Sequence, residues 1–85
     1  FAKGYWIEPT ILVDVTNDMR VAREEVFGPV LVVLTYDSVD EAVKIANDTD
    51  YGLSAGVWGG SEAHALEVAR RLEAGMVWVN NWHVI

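Results

Sequence analysis

Residues 30–36, with the sequence VLVVLTY, form an almost continuous run of β-branched and apolar side chains. A strand that is apolar along both of its faces is typical of a parallel sheet covered on both sides. Residues 11–15, 53–58 and 76–79 carry shorter runs of the same kind. These four segments predict four strands, and they leave little room for an all-helical or a membrane-spanning fold.

The segments between these runs carry helix signals. Ser38 and Glu41 have the spacing of a capping box, and Ser61 stands where a second helix would begin. Apolar side chains then recur with the period of one helix face. The positions predicted for these two faces are Val39, Ala42, Val43 and Ala46, and then Ala65, Val68, Ala69 and Leu72.

Two further predictions concern helix ends. Asn17 or Asp18 would cap a short helix over residues 19–24, and Gly75 would be the C′ residue that ends the last helix. The whole pattern reads β-α-β-α-β-α-β. It predicts an α/β fold in which strands and helices alternate and form part of a parallel sheet through right-handed crossovers.

The composition is apolar for so short a chain. Of the 85 residues 52% are hydrophobic, and four Trp, three Tyr and two Phe contribute large rings. A parallel sheet must be covered on both faces, and a chain of this length has too few helices to do so. We therefore expect residues 1–85 to be one partial domain, truncated at both ends, within a larger protein or an oligomer.

Charge and residue content exclude several functions. The net charge is −7 without any stretch of Lys or Arg, which argues against a nucleic-acid partner. No apolar run approaches the roughly 20 residues that a membrane span requires. Cysteine is absent, so these residues offer neither a disulfide, a thiolate metal site nor a cysteine nucleophile.

The loop before the run at residues 30–36 is the most informative segment for function. Glu24 and Glu25 place two carboxylates there, and Phe27 adds an aromatic ring. A carboxylate can accept both vicinal hydroxyl hydrogens of a ribose, and a ring can pack beside a flat base. The structural alternative is a solvated acidic turn in which Phe27 plugs the core, and the residues alone favour that alternative.

Residues 24–30, EEVFGPV, resemble the glutamate–phenylalanine–glycine–proline signature of the aldehyde dehydrogenase superfamily. The similarity continues through residues 4–10, 41–53 and 72–80, in the order and at the spacing of that family. It implies an NAD- or NADP-dependent oxidoreductase, of which this chain is the C-terminal part of the catalytic domain. The dinucleotide-binding domain would lie upstream of Phe1.

The resemblance implies roles for individual residues. Glu25 would bind the nicotinamide ribose and Phe27 would contact the nicotinamide side of the cofactor, whereas Glu24 would be a surface charge. The loop containing Trp82, His83 and Ile85 would line the substrate tunnel. Trp82 would either attract a quaternary ammonium through its ring face or form an apolar wall. Structural roles are expected for Asn47, Tyr51, Gly52 and Asn80, and a helix surface position for His64.

The family reaction implies that a cysteine thiolate attacks the aldehyde and that a glutamate base activates water to release the acid. Neither group is expected among these residues, so no catalytic residue and no metal ligand is assigned. Three interpretations remain open. The chain is part of a cytoplasmic, homo-oligomeric oxidoreductase, an inactive truncated derivative that serves as an assembly module, or an unrelated small α/β binding domain.

Overall fold

The computed structural model of the protein describes residues 4–82, and the predicted alternation of strands and helices is confirmed. The elements form two compact units, which meet in sequence between Thr35 and Tyr36. The first unit contains β1 (Thr10–Leu12), α1 (Arg20–Arg23) and β2 (Val30–Val32). The second contains α2 (Val39–Asn47), β3 (Ser54–Val57), α3 (Glu62–Ala69) and β4 (Met76–Val79).

The first unit is a parallel pair of strands joined through α1. Ile11 of β1 lies opposite Leu31 of β2, and the ladder ends where the Val33 amide donates to the Leu12 carbonyl at 2.9 Å. The strands are shorter than predicted. Asp14 adopts a left-handed backbone with φ of 55°, which turns the chain away soon after β1 and leaves Leu34 and Thr35 without a partner strand among the described residues of this unit.

The prediction for the start of α1 was wrong. The N-cap residue is Met19, whose side chain makes no capping hydrogen bond. Asp18 instead accepts a hydrogen bond from the Thr16 hydroxyl. This bond lowers the pKa of the Asp18 carboxyl below its ordinary value, because it favours the ionised form. The Asp18 carboxylate, one of the two predicted caps of α1, therefore stabilises the turn before the helix instead.

The second unit is built on the parallel pair β3–β4, connected through α3. Four residue pairs are in register, among them Gly56 opposite Trp78 and Val57 opposite Val79. Among the residues described, the buried apolar side chains are small. They are Val43 in α2 and Ala65 and Ala69 in α3, three of the eight positions predicted for the covered faces of these helices.

The predicted caps of α2 and α3 are present. The Ser38 hydroxyl accepts from the Glu41 amide at 3.1 Å, and the Ser61 hydroxyl accepts from the His64 amide at 3.2 Å. The carboxylate of Glu41 reaches back one residue further than a standard capping box, to the Asp37 amide at 3.1 Å. Both helices thus begin where the sequence indicates.

Two local predictions in this unit need correction. α3 ends at Ala69 with Arg70 as its C-cap, so Gly75 does not end the helix. Gly75 leads into β4 instead, and its amide donates to the Gly52 carbonyl at 2.8 Å. Ala46 was placed on the covered face of α2 but is exposed. Ala46 instead borders an open cleft together with Asn47, Leu53 and Leu72.

The β1–β2 sheet has one apolar face that the other described residues of its own unit, 4–35, leave uncovered. The adjacent side chains of Ile11 and Leu31 are 66% and 58% exposed. Single exposed apolar side chains are ordinary, but a contiguous apolar patch on a sheet usually marks a surface that packs against something else. No helix in the described part of the chain is long and apolar enough to cross a membrane.

Candidate functional site

The loop at residues 24–29 connects α1 to β2 and carries the predicted cofactor-binding side chains. Two short-range hydrogen bonds fold it tightly, from the Gly28 amide to the Val26 carbonyl and from the Val30 amide to the Gly28 carbonyl, both at 2.9 Å. The loop leaves the ring of Phe27 uncovered, and this side chain is 93% exposed. The alternative in which Phe27 plugs the core is therefore wrong for the described residues.

The two glutamates of this loop differ in their surroundings. Arg20 donates from Nε and Nη2 to the two carboxylate oxygens of Glu24, each at 3.1 Å, one helical turn apart. Both side chains are mostly exposed, so this pair contributes only about 0.3–0.5 kcal/mol, and its main effect is to occupy the Glu24 carboxylate. Glu24 is thus the helix-end charge that the sequence predicts.

Glu25 is exposed and makes no hydrogen bond or ion pair with any other residue between 4 and 82. Both of its carboxylate oxygens are therefore free to accept hydrogen bonds from a bound group. An exposed ring, that of Phe27, follows two positions later. The loop can offer an acceptor for hydroxyl groups and an apolar surface for a flat ring, which is the chemistry required to hold a nucleoside.

The second candidate site follows β4, where the chain reverses onto the sheet. Asn80 adopts a left-handed backbone with φ of 51°, a conformation that asparagine tolerates better than most residues. Its backbone N–H donates to the Val57 carbonyl, and its side-chain oxygen accepts from the backbone N–H of Gly59, both at 2.8 Å. Asn80 therefore joins the ends of β3 and β4, which confirms that its side chain satisfies nearby backbone groups.

This reversal lays Trp82 against the β3–β4 sheet. The centroid of its ring is 4.7 Å from that of Trp78, and the two planes are inclined by 54°. Trp82 remains 52% exposed, so one part of the ring packs while another part is available to a ligand. His83 and Ile85, the other predicted substrate-binding residues, lie outside the described residues.

Asn47 has a larger structural role than the sequence indicates. Its amide nitrogen donates to the Arg71 carbonyl and its oxygen accepts from the Glu73 amide, both at 2.9 Å. The last residue of α2 is thereby joined to the segment after α3. Tyr51, expected to be a packing ring, is 55% exposed among the described residues. His64 is exposed on α3, as predicted.

The sequence did not single out Gly56. Because this residue has no side chain, the ring of Trp82 can approach the backbone of β3 closely. A Cβ atom at this position would stand 3.1 Å from Cε3 and 3.3 Å from Cζ3 of Trp82. No local sequence pattern predicts this contact, because Gly56 lies in β3 whereas Trp82 follows β4. Within residues 4–82 no group of three or more His, Cys, Asp or Glu side chains is arranged to hold a metal ion.

The fold and the two sites define a class of protein. It is an α/β segment with an exposed loop that carries a carboxylate and an aromatic ring, and with a turn after its last strand that packs a tryptophan against the sheet. The model of the aldehyde dehydrogenase family matches residues 1–85. This chain belongs to the aldehyde dehydrogenase family.

Individual relatives agree with this assignment. An aldehyde dehydrogenase of Enchytraeus buchholzi is 53% identical over 81 residues, which are 95% of this chain and 16% of that protein. The geranial dehydrogenase of Castellaniella defragrans is 49% identical over 80 residues, 94% of this chain and 17% of the relative. The solved NAD+ complex of a Bacillus cereus aldehyde dehydrogenase superposes with a TM-score of 0.92 at 46% identity, covering 100% of this chain and 17% of that one. The chain thus spans about one sixth of the length of these relatives.

Proposed function

We propose that this chain is part of the catalytic domain of an aldehyde dehydrogenase that oxidises an aldehyde to a carboxylic acid with NAD or NADP. In this proposal it supplies contacts to the cofactor and the substrate, whereas the reacting groups belong to the remainder of the protein. The observation that carries the proposal is the pairing of an unengaged Glu25 carboxylate with an exposed Phe27 ring on one tight loop.

Glu25 and Phe27 suit the nicotinamide end of the cofactor. The Glu25 carboxylate would accept hydrogen bonds from the ribose hydroxyls, a charge-assisted contact that fixes orientation as well as position. Phe27 would pack its exposed ring against the nicotinamide side. When bound, the cofactor supplies an acceptor for hydride. These two residues would hold that acceptor in place without exchanging a proton or an electron themselves.

Trp82, with His83 and Ile85, would line the substrate tunnel. The half-exposed indole of Trp82 offers an apolar face to an aldehyde chain, and it would also attract a cationic substrate group. The relative from Castellaniella defragrans bears the name of a large apolar aldehyde, geranial, which an apolar wall of this kind would suit.

The remaining parts of the proposal concern the whole protein. The chain contains no cysteine, so the nucleophile that forms the thiohemiacetal and thioester would belong to another part of the protein. A cytoplasmic homo-oligomer is the setting that we propose, without a nucleic-acid or membrane partner. The exposed apolar pair Ile11 and Leu31 supports burial of this sheet face against other polypeptide.

The second candidate function is a catalytically inactive derivative that acts as an assembly module, and the same apolar face favours it. The intact mass of the natural protein distinguishes the two. A mass several times that of residues 1–85 supports the enzyme. If the natural protein has a mass of 9.4 kDa, the assembly module and the small binding domain are the interpretations that remain.

The cofactor role is tested with Glu25→Gln in the full-length enzyme. We expect kcat to fall on the order of tenfold or more, because a nicotinamide that is held less firmly leaves the reacting geometry more often. The dissociation constant for NAD should change much less, since the adenosine half supplies most of the affinity. Single-turnover formation of NADH and cofactor titration measure the two effects separately.

The matched control for this experiment is Glu24→Gln, one position earlier. Its carboxylate is occupied by Arg20 and is assigned no cofactor contact, so turnover should remain within about twofold of the wild-type value. Unchanged turnover of Glu25→Gln, or equal losses in both variants, would contradict the proposed role of Glu25.

A further inference from the structure

We infer that Gly56 is a specificity-determining position of this enzyme, because its missing side chain sets how closely the Trp82 ring approaches the sheet. The inference rests on the proposed function, in which Trp82 lines the substrate tunnel. Gly56 touches neither the aldehyde nor the cofactor in this account. It acts through the position of Trp82.

The contact leaves no room for a side chain at position 56 unless the Trp82 ring moves. The Cβ of alanine would stand 3.1 Å and 3.3 Å from the Cε3 and Cζ3 atoms of Trp82. Non-bonded carbon atoms are most favourably separated by about 3.5–4.0 Å. Even one methyl group would therefore move the indole ring by a few tenths of an ångström, and a larger side chain would move it further.

The surrounding aromatic residues limit the direction of that movement. Trp78 lies opposite Gly56 in the parallel ladder, and its ring is the one that packs against Trp82. The Nε1 atom of Trp58 would stand 3.8 Å from a Cβ at position 56. Because Trp78 and Trp58 already border this site, we expect the displaced ring to move outward from the sheet, toward its exposed side.

The backbone at Gly56 makes no demand for glycine. Among the glycines between residues 4 and 82, only Gly4 has a positive φ. Gly56 lies within β3, where an alanine is accommodated at least as well as a glycine as far as the backbone is concerned. The requirement is therefore one of space beside Trp82, and an alanine variant should fold.

The consequence for catalysis is a change in the preference between large and small aldehydes. An indole displaced outward would narrow the tunnel, which affects a long or branched substrate more than a two-carbon one. Differences of one methylene group in an apolar pocket change kcat/KM by roughly 10–200-fold. For Gly56→Ala we expect the octanal-to-acetaldehyde ratio of kcat/KM to fall on the order of tenfold.

The experiment compares Gly56→Ala with Gly60→Ala in the full-length enzyme. Gly60 follows the same strand, and a Cβ there would meet no atom within 4 Å, so this control should retain the wild-type ratio. Both substitutions are then repeated in a Trp82→Phe background. Phenylalanine lacks the fused ring that the added methyl group would meet, so Gly56→Ala should lose its effect there.

Tryptophan fluorescence separates the position of the ring from its role in the tunnel. Gly56→Ala should shift the emission maximum, Gly60→Ala should not, and the shift should disappear in the Trp82→Phe background. An unchanged emission spectrum and an unchanged substrate ratio in Gly56→Ala would overturn the inference, even if Trp82→Phe itself changes the ratio.

The opposite pattern would leave Gly56 as the positioning residue but remove its link to specificity. In that case Gly56→Ala shifts the emission, whereas neither Gly56→Ala nor Trp82→Phe alters the ratio. That result would overturn the proposed tunnel role of Trp82 and, with it, specificity control by Gly56. The failure of each proposal is therefore recognisable from the same set of variants.

Discussion

Asn47 shows how much one amide side chain can determine locally. Its nitrogen and its oxygen are both used, toward the Arg71 carbonyl and the Glu73 amide. An ion pair of 2.7 Å between Arg71 and Asp40 joins the other end of α2 to the same segment. Both partners of that pair are substantially exposed, so the amide contacts of Asn47 are expected to contribute more than the ion pair does.

We predict that Asn47→Ala lowers the free energy of unfolding by about 1–3 kcal/mol, because two hydrogen bonds of roughly 0.5–1.5 kcal/mol each are lost. Hydrogen exchange at the Glu73 amide should accelerate in the same variant, since this N–H loses its acceptor. Denaturant unfolding and hydrogen-exchange mass spectrometry of the full-length enzyme measure the two effects.

Asn47→Asp is the matched control for this prediction. An aspartate retains the oxygen that accepts from Glu73 but loses the nitrogen that donates to Arg71. Exchange at Glu73 should then stay close to that of the wild-type protein, whereas stability falls in part, also because a negative charge at a helix C-terminus is unfavourable. Equal exchange rates in the alanine and aspartate variants would refute the bond between Asn47 and Glu73.

At the scale of elements, the starts of the two longer helices, α2 and α3, follow from sequence, whereas the start of α1 and the ends of the strands do not. Ser38 and Ser61 each accept a hydrogen bond from an amide three residues later, so the capping pattern correctly located α2 and α3. The β1–β2 ladder was predicted too long. β-Branched residues continue past Leu12 and Val32, but Asp14 turns the chain after β1, so the residues that follow Val33 have no strand to pair with among the described residues of this unit.

The two sites also differ in how far the sequence predicts them. Glu25 and Phe27 could be singled out from sequence as a carboxylate and a ring on one loop, but the residues alone favoured a buried Phe27, whereas its ring is exposed. The roles proposed for them rest on family resemblance, because a free carboxylate beside a ring has many uses. Gly56 could not be found, since its contact with Trp82 depends on the register of β3 with β4 and on the reversal at Asn80.

The cap of α2 provides a test at the element scale. Ser38→Ala should lower the free energy of unfolding by about 1 kcal/mol, because the Glu41 amide loses its acceptor. Ser38→Thr keeps a hydroxyl group at the same position and should recover most of that loss. Thermal and denaturant unfolding of the full-length enzyme compare the three proteins. A threonine variant as unstable as the alanine variant would show that the hydroxyl does not act as the cap.

At the scale of the whole molecule, the segment buries little of its own apolar surface. The buried core of residues 4–82 consists of Val43, Ala65 and Ala69, and large side chains such as Tyr5, Leu53 and Trp58 are mainly exposed. Such a composition gives little stability in water, because the hydrophobic contribution grows with the apolar area removed from solvent.

We therefore predict that residues 1–85, produced alone, oxidise no aldehyde and associate in solution. The first expectation follows from the lack of a cysteine nucleophile and the second from the uncovered sheet face. Formation of NADH in the presence of octanal and size-exclusion chromatography test them, with the full-length enzyme as the positive control. Turnover by the short chain would contradict the assignment of the reacting groups to the rest of the protein.

The uncovered apolar face of Ile11 and Leu31 also bears on how sequence changes elsewhere are interpreted. Each square ångström of that face covered by other polypeptide is worth about 25 cal/mol to the folded state. A substitution in the polypeptide that packs on this face would loosen β1 and β2, which border the Glu25 loop, even when residues 1–85 are unchanged. Under the role proposed for Glu25, variants with a cofactor-binding defect should accordingly be sought in that covering layer as well as in the loop.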